Sequence, residues 1–179
     1  MIRRIAVIGL GLIGGSVALA TRAGEPGIEI VGSDPDPDAG RVALDRGAID
    51  RHVPDVVEAV RGAELIVLAA PVDVIPDICT ALAGTVDHDA IVTDVGSAKR
   101  DVVAAGETAF GPAFIGGHPM AGSERHGIAA ADDALFTDAL WVLTPTELTA
   151  SRSYQRAAEL ANTVGARAIA VEPDAHDAL

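Results

Sequence analysis

The sequence predicts a doubly wound α/β fold, a mostly parallel sheet with helices on both faces. Three observations point there. Short apolar runs that lack a strict period-2 alternation recur along the chain, separated by Ala-containing segments of helical character. Glycines follow the first of these runs at once. Apolar residues make up 49% of the 179 residues and aromatics only 3%, so the core has to be built from Ala, Val, Ile and Leu. That mixture suits β-branched strands covered by small-residue helices.

The elements follow in order. Ile5-Ala6-Val7-Ile8 reads as the first strand and Gly14 to Arg22 as a helix. Ile28 to Gly32 gives a second strand ending at Ser33-Asp34. Pro35 to Arg46, opened by Asp and Pro residues, gives a second helix. Ala48 to Val53 is a short third strand. Leu65 to Ala69 is a buried strand, followed by Pro71 and a helix to about Leu82. Ala90 to Thr93 is the next strand, with a helix opened by Ser97 and running to about Ala109. Ala113 to Ile115 is another strand, leading into Gly116-Gly117-His118-Pro119. Leu140 to Leu143, Glu147 to Val164 and Arg167 to Val171 read as strand, helix and strand. Pro173-Asp174-Ala175-His176-Asp177 reads as the first turn of a further helix. The expected organisation is a single dinucleotide-binding domain over 1–172, with 173–179 beginning a linker toward another domain beyond Leu179.

Composition narrows the function classes. A formal charge of −13 argues against nucleic acid or an anionic membrane surface as partner. No apolar run approaches the roughly 18 residues of a bilayer-spanning helix. Met1-Ile2-Arg3-Arg4 leads straight into a strand and leaves no room for a signal peptide, so a cytoplasmic location is expected. Cys79 is the only cysteine, which excludes an internal disulfide or a cysteine-built metal site. Lys99 is the only lysine; the other cations are arginines. His52, His88 and His126 follow no ligand spacing and read as solvated or structural.

Gly9-Leu10-Gly11-Leu12-Ile13-Gly14 has the G-x-G-x-x-G spacing, between a strand and a helix. Gly9 permits a tight turn, Gly11 a close approach to a pyrophosphate, and Gly14 close helix–strand packing. The following helix offers unpaired N–H groups and a partial positive charge to phosphates. This is the phosphate loop of a Rossmann-type dinucleotide site. Asp34, at the end of the second strand, is placed to accept hydrogen bonds from ribose hydroxyls and to repel a 2′-phosphate. Because no arginine follows within Pro35-Asp36-Pro37-Asp38, NAD is expected over NADP. An Asp at such a position also serves as a helix cap. Ala70-Pro71-Val72 follows the fourth strand and is placed to line the nicotinamide side of the crevice, a role compatible with Pro at a helix's first turn.

Two segments carry the chemistry. In Thr93-Asp94-Val95-Gly96-Ser97-Ala98-Lys99, Ser97 either caps the next helix or points its hydroxyl into the crevice. In Gly116-Gly117-His118-Pro119-Met120-Ala121-Gly122-Ser123-Glu124, glycines allow close backbone approach beside a histidine able to exchange a proton near neutrality.

These residues resemble the active-site loop and the upstream Asp-x-x-Ser-x-Lys segment of the prephenate dehydrogenases, and the resemblance spans Ile5 to about Asp177. It implies a Rossmann domain using NAD to convert prephenate by oxidative decarboxylation to 4-hydroxyphenylpyruvate, in tyrosine biosynthesis. His118 then accepts a hydrogen bond from the ring C4 hydroxyl, and Ser97 bonds near the same hydroxyl. Gly117, Ser123 and Glu124 belong to substrate binding and access. The resemblance also implies an α-helical dimerisation domain beyond this chain, bearing an arginine for a substrate carboxylate, and hence a homodimer and a chain that alone turns over poorly. Arogenate in place of prephenate, or a non-catalytic NAD-binding module, are the competing readings.

Overall fold

Alternate residues of each central strand feed opposite faces of one sheet. In β1 (Arg4–Ile8), Ile5 and Val7 enter one core while Ala6 and Ile8 enter the other. The same holds for Leu65 and Val67 against Ile66 and Leu68 in β4 (Leu65–Leu68). With both faces buried, no polar alternation is tolerated, which is why these runs read as continuously apolar.

The computed structural model describes residues 2–122 and 124–178. Its sheet has eight strands in the order β3-β2-β1-β4-β5-β6-β7-β8. Besides β1 and β4 these are β2 (Glu29–Ser33), β3 (Arg51–His52), β5 (Ile91–Asp94), β6 (Phe114–Pro119), β7 (Leu140–Thr144) and β8 (Arg167–Ala170). Every neighbouring pair is parallel except β6 with β7, where His118 stands opposite Val142. One face is covered by α1 (Leu12–Gly24), α2 (Pro37–Asp45) and α6 (Ser151–Thr163). The other is covered by α3 (Val56–Ala59), α4 (Ile75–Leu82) and α5 (Arg100–Phe110). A last turn, α7 (Pro173–His176), lies against α5. No helix among the described residues is long and apolar enough to cross a membrane.

The expected elements are present, with boundaries that local chemistry moves. The second helix begins at Pro37 because Asp36 caps it, accepting the Asp38 N–H at 2.9 Å. The short α3 was not expected; Asp55 starts it by accepting the Glu58 N–H at 2.9 Å. The sixth helix starts at Ser151, not Glu147, because Thr146 and Thr149 tie the intervening residues into a turn. Ser97 does not open α5, which begins three residues later at Arg100.

A buried ion pair explains that delay. Lys99 turns back from the start of α5 and donates to the Asp94 carboxylate at the end of β5, with both side chains 0% exposed. The same ammonium donates to the Gly117 carbonyl at 2.8 Å. Asp94 accepts the Gly117 N–H at 3.0 Å and the Gly96 N–H at 2.7 Å. Withdrawal from water pushes the Asp94 carboxyl upward, while Lys99 and the two N–H donors hold it down. One carboxylate and one ammonium thus join β5, β6 and the loop holding Ser97. Removing one partner strands a charge in the interior, so Lys99→Met is expected to cost about 3–5 kcal/mol. Denaturant unfolding reads that cost, and the double variant Asp94→Asn/Lys99→Met should lose less than Lys99→Met alone. A single-variant loss below about 1 kcal/mol contradicts the role assigned to the pair.

Candidate active site

From β1 the chain builds outward to β2 and β3, then returns to place β4, β5 and β6 on the other side. Where the order reverses, between β1 and β4, the loops leaving the strand ends diverge and a crevice opens. A cleft of about 960 Å³ lies there, lined by residues that follow β1, β2, β4, β5 and β6.

Its floor is the glycine loop. Gly9 sits at φ +101°, and a Cβ on it would meet the Ala69 carbonyl oxygen at 2.5 Å. A Cβ on Gly14 would meet the Gly9 carbonyl oxygen at 1.9 Å, so α1 packs against the loop only with glycine there. Around Gly11 nothing lies within 4 Å of such an atom: the space in front of it belongs to the cleft. The first turn of α1 carries no acidic residue and its N-cap, Gly11, supplies no side-chain bond. Those N–H groups and the helix dipole are therefore left for an anion. Gly9, Gly11, Leu12 and Ile13 line the cleft; Gly14 is buried behind them.

Asp34 lines the neighbouring wall. Its oxygens accept the Leu10 N–H at 2.8 Å and the Asp36 N–H at 2.9 Å, which fixes the carboxylate across the mouth of the glycine loop. The helix cap is Asp36, so Asp34 has no capping duty. Each carboxylate oxygen retains a lone pair for a further donor. Arg41, the next arginine along, is engaged with Asp38 and Asp45. Pro35, Pro54, Val56, Val74 and Ile78 add an apolar wall suited to a flat aromatic base, a set that no local motif marks.

The far end of the cleft brings together residues from three strand ends. Ala70, Pro71 and Val72 line it after β4, Ser97 after β5, and His118 from within β6. His118 is therefore carried on a strand, not on the loop expected from its flanking glycines. Burial pushes its imidazole down to about 4, and the neighbouring His176 and Lys99 act in the same direction against Asp177. His118 Nδ1 lies 2.9 Å from Nε2 of the buried His176, whose Nδ1 lies 2.8 Å from Asp177 Oδ1. Asp177 also accepts the Lys99 and Arg100 N–H groups at 2.8 and 2.9 Å, supplying from a distance the capping carboxylate at the start of α5. Burial favours the neutral Asp177 carboxyl, but these donors outweigh it and bring it to about 2.

Two expected site residues, Gly117 and Glu124, stand apart from the cleft. Gly117 does not line the cleft; a Cβ on it would meet the Asp94 carbonyl oxygen at 2.6 Å and Trp141 Nε1 at 2.9 Å. Its glycine serves interior packing, not ligand approach. Glu124 is exposed and outside the cleft lining, and Ser123 lies outside the described residues. Conversely, the contacts of His176, Asp177, Asp94 and Lys99 with the site were not legible as such. A lone lysine five residues after an aspartate was the available signal for the ion pair. His126, read as solvated or structural, is exposed at the cleft margin beside Arg125.

Known proteins agree with this geometry. The family model of the prephenate dehydrogenase nucleotide-binding domain matches residues 17–170. The prephenate dehydrogenase of Bacillus subtilis is 36% identical over 176 residues, 97% of this chain and 47% of that protein. Among solved structures, the Aquifex aeolicus prephenate dehydrogenase in complex with hydroxyphenyl propionate and NAD+ is similar with a TM-score of 0.93 and 29% identity, covering 99% of this chain and 62% of that one. Synechocystis arogenate dehydrogenase is similar with a TM-score of 0.91 and 32% identity, covering 97% and 61%. The chain thus spans about half the length of the curated relative and under two thirds of the solved structures. A dinucleotide-type cleft, the family-model match over most of the chain and these likenesses agree: the chain belongs to the prephenate dehydrogenase family, in its nucleotide-binding domain.

Proposed function

We propose that this domain binds NAD, in preference to NADP, and supplies the catalytic histidine for oxidative decarboxylation of prephenate to 4-hydroxyphenylpyruvate. The observation that carries this reading is the placing of His118, held in its neutral form, in the same cleft as the glycine loop and Asp34. The glycine cradle and the uncapped start of α1 fit a pyrophosphate, and Asp34 fits ribose hydroxyls. Bound there, the dinucleotide supplies the hydride acceptor. The protein's own residues orient the substrate. Neutral His118 accepts a hydrogen bond from the C4 hydroxyl as C4 is oxidised, and Ser97 orients the same oxygen. Carbon dioxide leaves C1, the ring becomes aromatic, and the hydroxyl proton remains with the phenol oxygen. Gain of aromaticity drives the reaction, so the protein has to provide positioning and a hydrogen-bond acceptor.

The similarity to an arogenate dehydrogenase supports a second substrate, which differs by an amino group remote from C4. We assign the grip on the substrate's carboxylates, and homodimer formation, to the part of the family's length that this chain does not span. Glu124 and Ser123 are assigned to the approach of substrate at the cleft rim. In a protein that includes that remaining part of the family's length, NADH formation with NAD and prephenate should saturate in both ligands. His118→Asn should lower turnover by about 10²–10⁴-fold while leaving NAD affinity within about twofold. Undiminished turnover in that variant contradicts the assignment.

Cofactor choice rests on Asp34. Asp34→Ser removes the charge that opposes a 2′-phosphate, and the NADP-to-NAD affinity ratio should rise by roughly tenfold or more. Calorimetric titration with both dinucleotides reads this directly; an unchanged ratio places the discrimination elsewhere.

The depressed imidazole also has a stability signature. An unfolded His118 takes up its proton near 6.5 and the folded one near 4. Within that window the unfolded state binds more protons, so stability is lost as pH falls from about 6.5 to 4, and this group adds no further loss below. Asp177 acts in the same direction but below its ordinary 3.8, toward about 2. Unfolding free energies measured across this range should show a flatter slope between 6.5 and 4 in His118→Asn than in the parent protein. Equal slopes contradict the neutral, half-buried state of His118.

A further inference from the structure

His118 meets the cleft at one edge and His176 at another, and behind His176 stands a carboxylate tied to the start of α5. Asp177 accepts backbone N–H groups of Lys99 and Arg100 and lies 2.8 Å from His176 Nδ1. An ionised carboxylate only accepts hydrogen bonds, so His176 carries its proton on Nδ1. A neutral His176 then presents a lone pair at Nε2. That nitrogen lies 2.9 Å from His118 Nδ1, and a contact of this length between two ring nitrogens requires one of them to donate. The donor is therefore Nδ1–H of His118. Its lone pair falls to Nε2, the only other nitrogen of the ring.

Resting on the reading of His118 as hydrogen-bond acceptor, we infer that His176 and Asp177 are positioning residues that fix His118 in the Nδ1–H tautomer, so that the cleft receives an acceptor and not a donor. The opposite tautomer would present N–H to a substrate hydroxyl and leave that hydroxyl's proton without a partner. The surroundings favour this direction. Lys99, the charged group buried close by, is neutralised by Asp94, and Arg100 pairs with Asp174 outside the cleft. Asp177 is thus the anion in direct contact with the histidine pair. It also balances the partial positive charge that His118 acquires when it accepts the substrate's hydrogen bond. The edge-on arrangement of the two rings, 5.1 Å between centroids and 67° between planes, places nitrogen toward nitrogen and not face on face.

The tautomer is read directly by nitrogen NMR of the imidazole rings in this chain, without substrate and at mildly alkaline pH. The expected result is His118 protonated at Nδ1 and bare at Nε2, in excess over the other form by roughly tenfold or more. His176→Leu should abolish that excess. In His176→Gln the Asp177 carboxylate attracts the amide N–H group and turns Oε1 toward His118, so the excess should be largely restored. NAD affinity, which depends on the glycine loop and Asp34, should stay within about twofold in both variants. In the protein that turns over substrate, His176→Leu should lower kcat by about 10-fold or more with little change in KM, and His176→Gln should recover most of it. A parent protein with His118 mainly protonated at Nε2 overturns the inference, and so does an unchanged tautomer in His176→Leu. Because the ring spectrum needs no substrate, a correct tautomer in a protein without turnover would refute the functional reading and leave this inference standing.

Discussion

The site depends first on the interior pair of Asp94 and Lys99. A carboxylate and an ammonium with no exposed surface are costly to hold, and only a complete set of partners makes them tolerable. Here the set is drawn from the two strands that matter most. Asp94 ends β5, while Gly117, which gives its N–H to Asp94 and its carbonyl to Lys99, immediately precedes His118 in β6. The remaining donor, Gly96 N–H, fixes the loop that carries Ser97. The two residues proposed to touch the substrate hydroxyl are thus neighbours of the same buried charges. The Lys99 ammonium also adds to the low proton affinity of His118, after burial and the neighbouring His176.

The second constraint is steric. The nucleotide end of the cleft is built from backbone brought closer than any side chain allows. Gly9 adopts a left-handed conformation against Ala69, and Gly14 lets α1 approach the turn that precedes it. The consequence is a helix start with open N–H groups, directed at the same crevice that the strand ends create. Asp34 is secured by the Leu10 and Asp36 N–H groups, so the carboxylate proposed to receive the ribose is held by the loop's own hydrogen bonding. On the other side of the crevice, antiparallel β7 pairs with β6 and keeps His118 on a strand, where its direction is set by register instead of by a mobile loop.

Much of this was legible in the chain because it rests on local rules. Continuous apolar runs marked the strands, and the glycine spacing marked the tight turn and the close strand–helix contact. The strand following Ala113 was correctly placed but cut short: glycines and Pro119 suppressed its signal, although pairing with β7 extends it through His118. Ser97 resembled a helix cap because serine favours such positions, yet the cap is supplied by Asp177, 80 residues later, which no local rule identifies. His176 was hidden in the same way. At the end of the sequence it resembled the start of another element, and only the fold brings it to His118. Gly117 misled in the opposite direction, since glycine beside a histidine suggests ligand approach, whereas here the space is needed by Trp141 and the Asp94 carbonyl.

The claim on which the rest stands is that one cleft orders a dinucleotide from the glycine loop to His118. A crystal structure of this chain with NAD bound tests it most directly. The account predicts the pyrophosphate on the N–H groups that open α1, the adenosine ribose on Asp34, and the nicotinamide beside Ala70-Pro71-Val72 with its reactive face turned toward His118. A dinucleotide with its ribose away from Asp34, or a nicotinamide lying outside the reach of His118, would contradict it.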